Sequence, residues 1–178
     1  MPYLLPVALA SATLVGVTAE KNPYDNAGQN GAYMVPYVGG YNVFSDNDIT
    51  DGDKTVVVGG EYRFAAFNYG IRPVLGALVN FKGDTYGYGG FVLETPLYKD
   101  RIWFIPGAAV GAFGHGDGRD LGGALEFRTS AELAYRFDNN QRIGINIFHL
   151  SNAGIYNSNP GTEAITVTYS IPVSSLSW

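Results

Sequence analysis

The chain has 178 residues, enough for one domain or a small closed barrel, with no cysteine, two histidines and a formal net charge of −5. The lack of cysteine excludes disulfides, thiolate catalysis and thiolate-ligated zinc, and two histidines far apart argue against a His-rich metal site. An acidic balance with no Lys/Arg cluster excludes a phosphate footprint for nucleic acid. Charged residues make up 15% of the chain, against roughly 25% in soluble domains. With 13 Tyr and 24 Gly, that composition fits a β-barrel in a membrane better than a cytosolic enzyme.

In chain order, the first segment is apolar from Leu4 to Val17. It is too short to cross a bilayer as a helix, which needs about 20 residues. Val17-Thr18-Ala19 has the small residues of a signal-peptidase site, although no Lys or Arg precedes the apolar run. Residues 1–19 are therefore read as a signal peptide and 20–178 as a single barrel domain. No other stretch resembles a membrane helix, so any crossing is made by strands.

From Gly31 onward, segments of alternating polarity are separated by turn clusters. Strands are predicted near 31–45, 54–66, 68–82, 85–95, 101–114, 121–137, 141–151 and 162–173. The second sets Val56, Val58, Tyr62 and Phe64 against Thr55, Glu61 and Arg63. The third sets Tyr69, Ile71, Leu75, Val79 and Phe81 against Arg72 and Asn80. In the sixth, Leu125, Phe127, Ala131, Leu133, Tyr135 and Phe137 oppose Glu126, Arg128, Ser130, Glu132 and Arg136. One face is apolar along whole strands, while the other carries both signs of charge and many glycines. That pattern predicts an all-β fold, an eight-stranded antiparallel transmembrane barrel of the outer-membrane type, with lipid outside and paired Glu and Arg inside. Glu126, Arg128, Glu132 and Arg136 are expected to belong to one ion-pair network in the lumen.

The connections "AFN", "YKD" and "DNNQ" are short, whereas "SDNDITDGD", "GHGDGRD" and the link between strands seven and eight are longer. Only "KGD", between strands three and four, breaks this alternation. Short periplasmic turns and longer outer loops are the habit of such barrels, which places the seven-to-eight link at the outer surface. The chain ends on Trp178, an aromatic terminus of the kind read by barrel insertion machinery, weakened here by Pro172 in the last strand.

The polar groups of interest lie in "IFHLSNAGIYNSNPGTE", Ile147 to Glu163. His149 and Ser151 share a strand face with Ile143, Ile145 and Ile147, and Glu163 is in phase with Ile165, Val167, Tyr169 and Ile171. All three therefore project from the lipid-facing wall, where an ionisable side chain is costly and suggests function. A serine hydroxyl needs an adjacent base, an imidazole can be that base, and a carboxylate can orient the imidazole. Asn152, Asn159 and the backbone N–H groups of Ala153–Gly154 are candidate donors to an oxyanion. On the residues alone, an interfacial histidine beside a polar loop is the more usual reading of His-x-Ser. His115, with Asp117 and Asp120 in "FGHGDGRD", suggests either a cation site or a solvated outer loop, and the loop is preferred. The runs "YGYGG" and "GDGRDLGG" match no phosphate loop, since no helix follows them.

The stretch "HLSNAGIYNSNPGTE" resembles the signature of the outer-membrane lipid A 3-O-deacylases, the PagL-type enzymes. These are eight-stranded barrels with a His-x-Ser-Asn-Ala motif, an Asn-Pro-Gly turn and a glutamate fourteen residues after the histidine. His149, Ser151, Asn152, Ala153, Asn159, Pro160, Gly161 and Glu163 occupy those places without a gap, while Leu150 replaces a frequent aromatic. The resemblance implies Ser151 as nucleophile, His149 as base and Glu163 as orienting acid. It further implies an oxyanion hole from Asn159 with Asn152 or the Gly154 amide. The implied substrate is lipid A of lipopolysaccharide, cut at an ester-linked 3-hydroxyacyl chain on position 3, with no cofactor or metal. The implied setting is the bacterial outer membrane and its lipids, with the site at the outer leaflet and room for a homodimer. The rivals are a non-catalytic structural or adhesive barrel and another lipid acyl hydrolase or acyltransferase.

Overall fold

The computed structural model describes residues 31–44, 54–67 and 70–176. The expected signal peptide, the loop 45–53, Tyr69 and Trp178 lie outside the described residues. The strands are β1 (Tyr33–Tyr41), β2 (Thr55–Arg63), β3 (Ile71–Asn80), β4 (Thr85–Leu93), β5 (Thr95–Tyr98), β6 (Ile102–Gly114), β7 (Leu125–Arg136), β8 (Arg142–Ser151) and β9 (Thr162–Pro172). Every pairing is antiparallel; β1 pairs with both β2 and β9, and β4 pairs with β6, so the sheet closes on itself. β5 continues the line of β4 along β6 after a break at Glu94, so nine hydrogen-bonded segments make eight staves. The fold is an eight-stranded antiparallel barrel.

Strand alternation explains why the sheet closes this way round. Leu75, Ile145 and Val167 are 56%, 60% and 50% exposed, whereas the residues on either side of each are buried or partly so. A wall this apolar is stable against lipid tails, which satisfy no hydrogen bond, because closure leaves no unpaired strand edge. The sixth predicted strand starts late: β7 begins at Leu125 and not at 121. There Leu121 turns inward and is fully buried, and Gly122 takes a φ of +88°, so residues 121–124 cross the barrel mouth as loop.

The lumen is filled with side chains. At the outer end Tyr37, Tyr41, Leu78, Tyr86, Phe113 and Phe148 belong to one apolar cluster; at the inner end Val74, Val92, Trp103, Ile105 and Ala134 form another. Gly59 and Gly76 take inward positions with no room for a side chain, because the rings of Tyr37 and Tyr88 lie where their Cβ atoms would be. Through the middle run ion pairs. Arg63 binds Glu61 at 2.8 Å and Glu132 at 2.6 Å, Arg128 lies 3.3 Å from Glu61, and Tyr88 donates to Glu61 at 2.9 Å. Toward the inner end Glu94 holds Arg72 at 2.9 Å and Arg142 at 2.7 Å. The guanidinium of Arg142 stacks on Tyr33 and Trp103.

The expected four-residue network on β7 is therefore split. Arg128 and Glu132 reach across the barrel to β2, but the Glu126 carboxylate is buried outside that set of ion pairs. Arg136 instead closes the inner end, donating to the Asp100 carbonyl at 2.7 Å and to Asn140 Oδ1 at 2.8 Å. The "KGD" link also has a role that its length conceals. Asp84 is fully buried there and accepts from Asn80 Nδ2 at 2.7 Å and from the Gly116 N–H at 2.7 Å, tying the β3–β4 turn to the β6–β7 loop.

Candidate active site

β8 and β9 form a hairpin whose connecting loop, residues 152–161, stands at the outer end of the barrel. His149 and Glu163 are direct cross-strand partners, and the imidazole Nδ1–H donates to Glu163 Oε1 at 2.9 Å. Their side chains are 42% and 33% exposed on the outer wall. Ser151 ends β8, partly exposed, on the same face two residues beyond His149, and its partner on β7 is Phe127. Around them the wall is apolar: Ile147 pairs with Ile165, and Phe127, Leu125, Ile155 and Tyr156 are all exposed. The three sequence-predicted groups are thus gathered on one lipid-facing patch.

The loop is held by one buried side chain. Asn152 Nδ2 donates to the carbonyls of Leu121 at 2.9 Å and Ser158 at 2.8 Å, while its Oδ1 accepts from the Gly154 N–H at 3.0 Å. Its backbone N–H donates to Asn159 Oδ1 at 3.0 Å. The turn this builds needs left-handed backbone at Ala153 (φ +54°) and Gly154 (φ +77°). The consequence for the candidate donors is specific. Asn152's side chain is already taken up by Leu121, Ser158 and Gly154, and the Gly154 N–H by Asn152 Oδ1. Asn159 is exposed and its Oδ1 accepts from the Asn152 N–H, which leaves its Nδ2 as the remaining side-chain donor.

Gly161 completes the frame. It is buried with a φ of +60°, and a Cβ there would lie 2.9 Å from His149 Cε1 and 3.2 Å from the Leu150 carbonyl. Only a residue without a side chain fits between ring and backbone at this dihedral.

A second loop, residues 115–124, enters this arrangement without having been expected from the sequence. Leu121 supplies both a carbonyl to Asn152 and a fully buried side chain to the outer cluster. Arg119 Nη2 donates to the Pro160 carbonyl at 3.2 Å, and Tyr156 accepts from the Leu125 N–H at 3.2 Å. A lone leucine inside the polar run "GHGDGRDLGG" is the one local signal of this role. His115 in the same loop is exposed and bonds Gly118's carbonyl at 3.1 Å, and Asp120 accepts from the Gly122 N–H at 2.8 Å.

The profile of the lipid A 3-O-deacylase (PagL) family matches residues 58–172, from β2 to the end of β9. This chain belongs to that family. It is 36% identical over 86 residues to the lipid A deacylase PagL of Pseudomonas aeruginosa, an alignment covering 47% of this chain and 49% of that protein. The match thus spans about half the length of the curated relative. The fold is shared with the crystal structure of the outer membrane enzyme PagL, at a TM-score of 0.58 and 23% identity, covering 79% of this chain and 99% of the other. Neisserial surface protein A has the same architecture at a TM-score of 0.56 and 12% identity, covering 80% and 97%.

Proposed function

We propose that this family member is an outer-membrane esterase that releases the 3-hydroxyacyl chain ester-linked at position 3 of lipid A. The observation that carries the reading is the His149–Glu163 hydrogen bond on the lipid-facing wall, two residues from Ser151 at the outer end of the barrel. Family membership supports the substrate class.

In this reading Glu163 accepts from Nδ1–H, which leaves Nε2 of His149 as the base for the serine hydroxyl. Ser151 Oγ attacks the ester carbonyl as its proton passes to Nε2. The carbonyl oxygen takes the negative charge, and Asn159 Nδ2 donates to it. Collapse breaks the acyl–oxygen bond, and the imidazolium returns its proton to the departing sugar oxygen. Water, deprotonated by the same nitrogen, then attacks the acyl-serine and frees the hydroxy acid. Asn152 and Gly154 act by holding Asn159 in place. Because the patch opens sideways to the membrane, an acyl chain already dissolved in the outer leaflet reaches it without leaving lipid.

Mass spectrometry of lipid A from cells expressing the protein tests this. Loss of one hydroxyacyl chain is expected. An unchanged lipid A would leave a catalytically silent barrel, and an added acyl chain would mean acyl transfer. Gly161 offers a finer check. Gly161→Ala is expected to push the His149 ring off its partner and lower turnover by about 10- to 100-fold, since small displacements of a catalytic group are that costly. Turnover of Gly161→Ala at the wild-type rate, measured on purified protein, would remove the proposed role of this contact.

A further inference from the structure

The described cations divide by position. The guanidiniums of Arg63, Arg72, Arg128 and Arg142 are buried in the lumen, and Lys99, Arg101 and Arg136 sit at the inner end. Lys54, Lys82 and Arg119 stand at the outer end, the end that carries Ser151. Among these three, Arg119 is bonded to the proposed catalytic loop, through its Nη2 and the Pro160 carbonyl. Pro160 directly follows Asn159, so the guanidinium is fastened one residue from the proposed oxyanion donor. Arg119 is partly exposed, on the headgroup side of an apolar patch formed by Phe127, Ile147 and Ile155. Asp117 and Asp120 flank it in sequence, and the Asp120 carboxylate accepts from the Gly122 N–H at 2.8 Å.

This arrangement sets a cation above an acyl-binding wall, in the relation that a phosphorylated glycolipid has between headgroup and tails. Guanidinium matches phosphate through paired N–H donors and keeps its charge at any working pH. The inference rests on the lipid A reading, since lipid A presents phosphomonoesters on its sugar headgroup. We propose that Arg119 is a specificity residue that holds a phosphate of the substrate headgroup at the mouth of the site.

The proposal separates charge from bracing. Arg119→Gln keeps a donor for the Pro160 carbonyl but removes the charge, and Arg119→Lys keeps the charge without the paired donors. Purified protein in detergent micelles is assayed on bisphosphorylated lipid A and on the same lipid A after enzymatic dephosphorylation. Wild type is expected to prefer the phosphorylated substrate by about tenfold in kcat/KM, mostly through KM. Arg119→Gln should lose that preference, and Arg119→Lys should retain part of it. An equal preference in wild type and Arg119→Gln, or no preference in wild type, overturns the assignment and leaves Arg119 as a loop brace. Release of no chain from either substrate overturns the lipid A reading itself, and this inference with it.

Discussion

Ser151→Ala is expected to reduce release of the hydroxyacyl chain by at least about 10³-fold, with the barrel intact. The serine ends a strand and is partly exposed on the outer wall, so the substitution removes an oxygen from the surface and nothing from the core. Glu163→Gln should lower the rate less than Ser151→Ala does, because an amide oxygen still accepts from the ring but no longer stabilises the imidazolium. The double variant should be no slower than Ser151→Ala alone, since groups acting as one unit lose their effect together. Rates read by mass spectrometry, with the heat-modifiable folded band as a control, decide the matter. Persisting chain release by Ser151→Ala would refute the triad, and a further drop in the double variant would mean that Glu163 acts separately.

The second large effect concerns stability. Glu94 is 1% exposed and is the carboxylate shared by Arg72 and Arg142, themselves 1% exposed. Glu94→Ala leaves two buried guanidiniums without their counter-charge. Arg72 retains the carbonyls of Gly31 and Phe64 as acceptors, at 2.7 and 2.9 Å, and Arg142 keeps mainly its stacking on Tyr33 and Trp103. Breaking a buried pair in this way costs about 3–5 kcal/mol. Urea unfolding in lipid vesicles should show a loss of that size in the unfolding free energy, with a correspondingly lower midpoint. Replacing Glu94, Arg72 and Arg142 together by apolar residues of similar volume should recover much of it, because the desolvation penalty disappears with the charges. A wild-type midpoint in Glu94→Ala would show that this network does not hold the inner end of the barrel.

Why the wall is legible in the sequence and the mouth is not follows from the range of the forces involved. Side-chain direction in a strand repeats every two residues, and here the two faces meet different media. Ile143, Ile145 and Ile147 therefore give the direction of His149 and Ser151, and Ile165 and Val167 give that of Glu163. The break at Glu94 is not readable, because it depends on Glu94 turning its N–H to the Gly70 carbonyl at 2.9 Å. The start of β7 lies beyond its predicted place because Leu121, apolar and in phase, belongs to the outer cluster and not to the strand. Asn152 presents an amide at a suitable spacing for an oxyanion donor. Its burial against Leu121 and Ser158 depends on a loop 31 residues away in sequence, which no local pattern encodes.

The cross-strand register of β8 and β9 has one more implication. Every group given a chemical role in the ester cleavage sits on one hairpin, from His149 to Glu163, and its two strands are joined directly to each other. The remaining staves set depth in the leaflet and hold the hairpin taut. Such a unit is portable: a barrel of the same stave number, given this hairpin and a neighbouring loop able to accept Asn152, has the parts for the reaction. Reactivity of this kind can therefore be gained or lost within a single short run of consecutive residues, with the apolar wall around it left as it is.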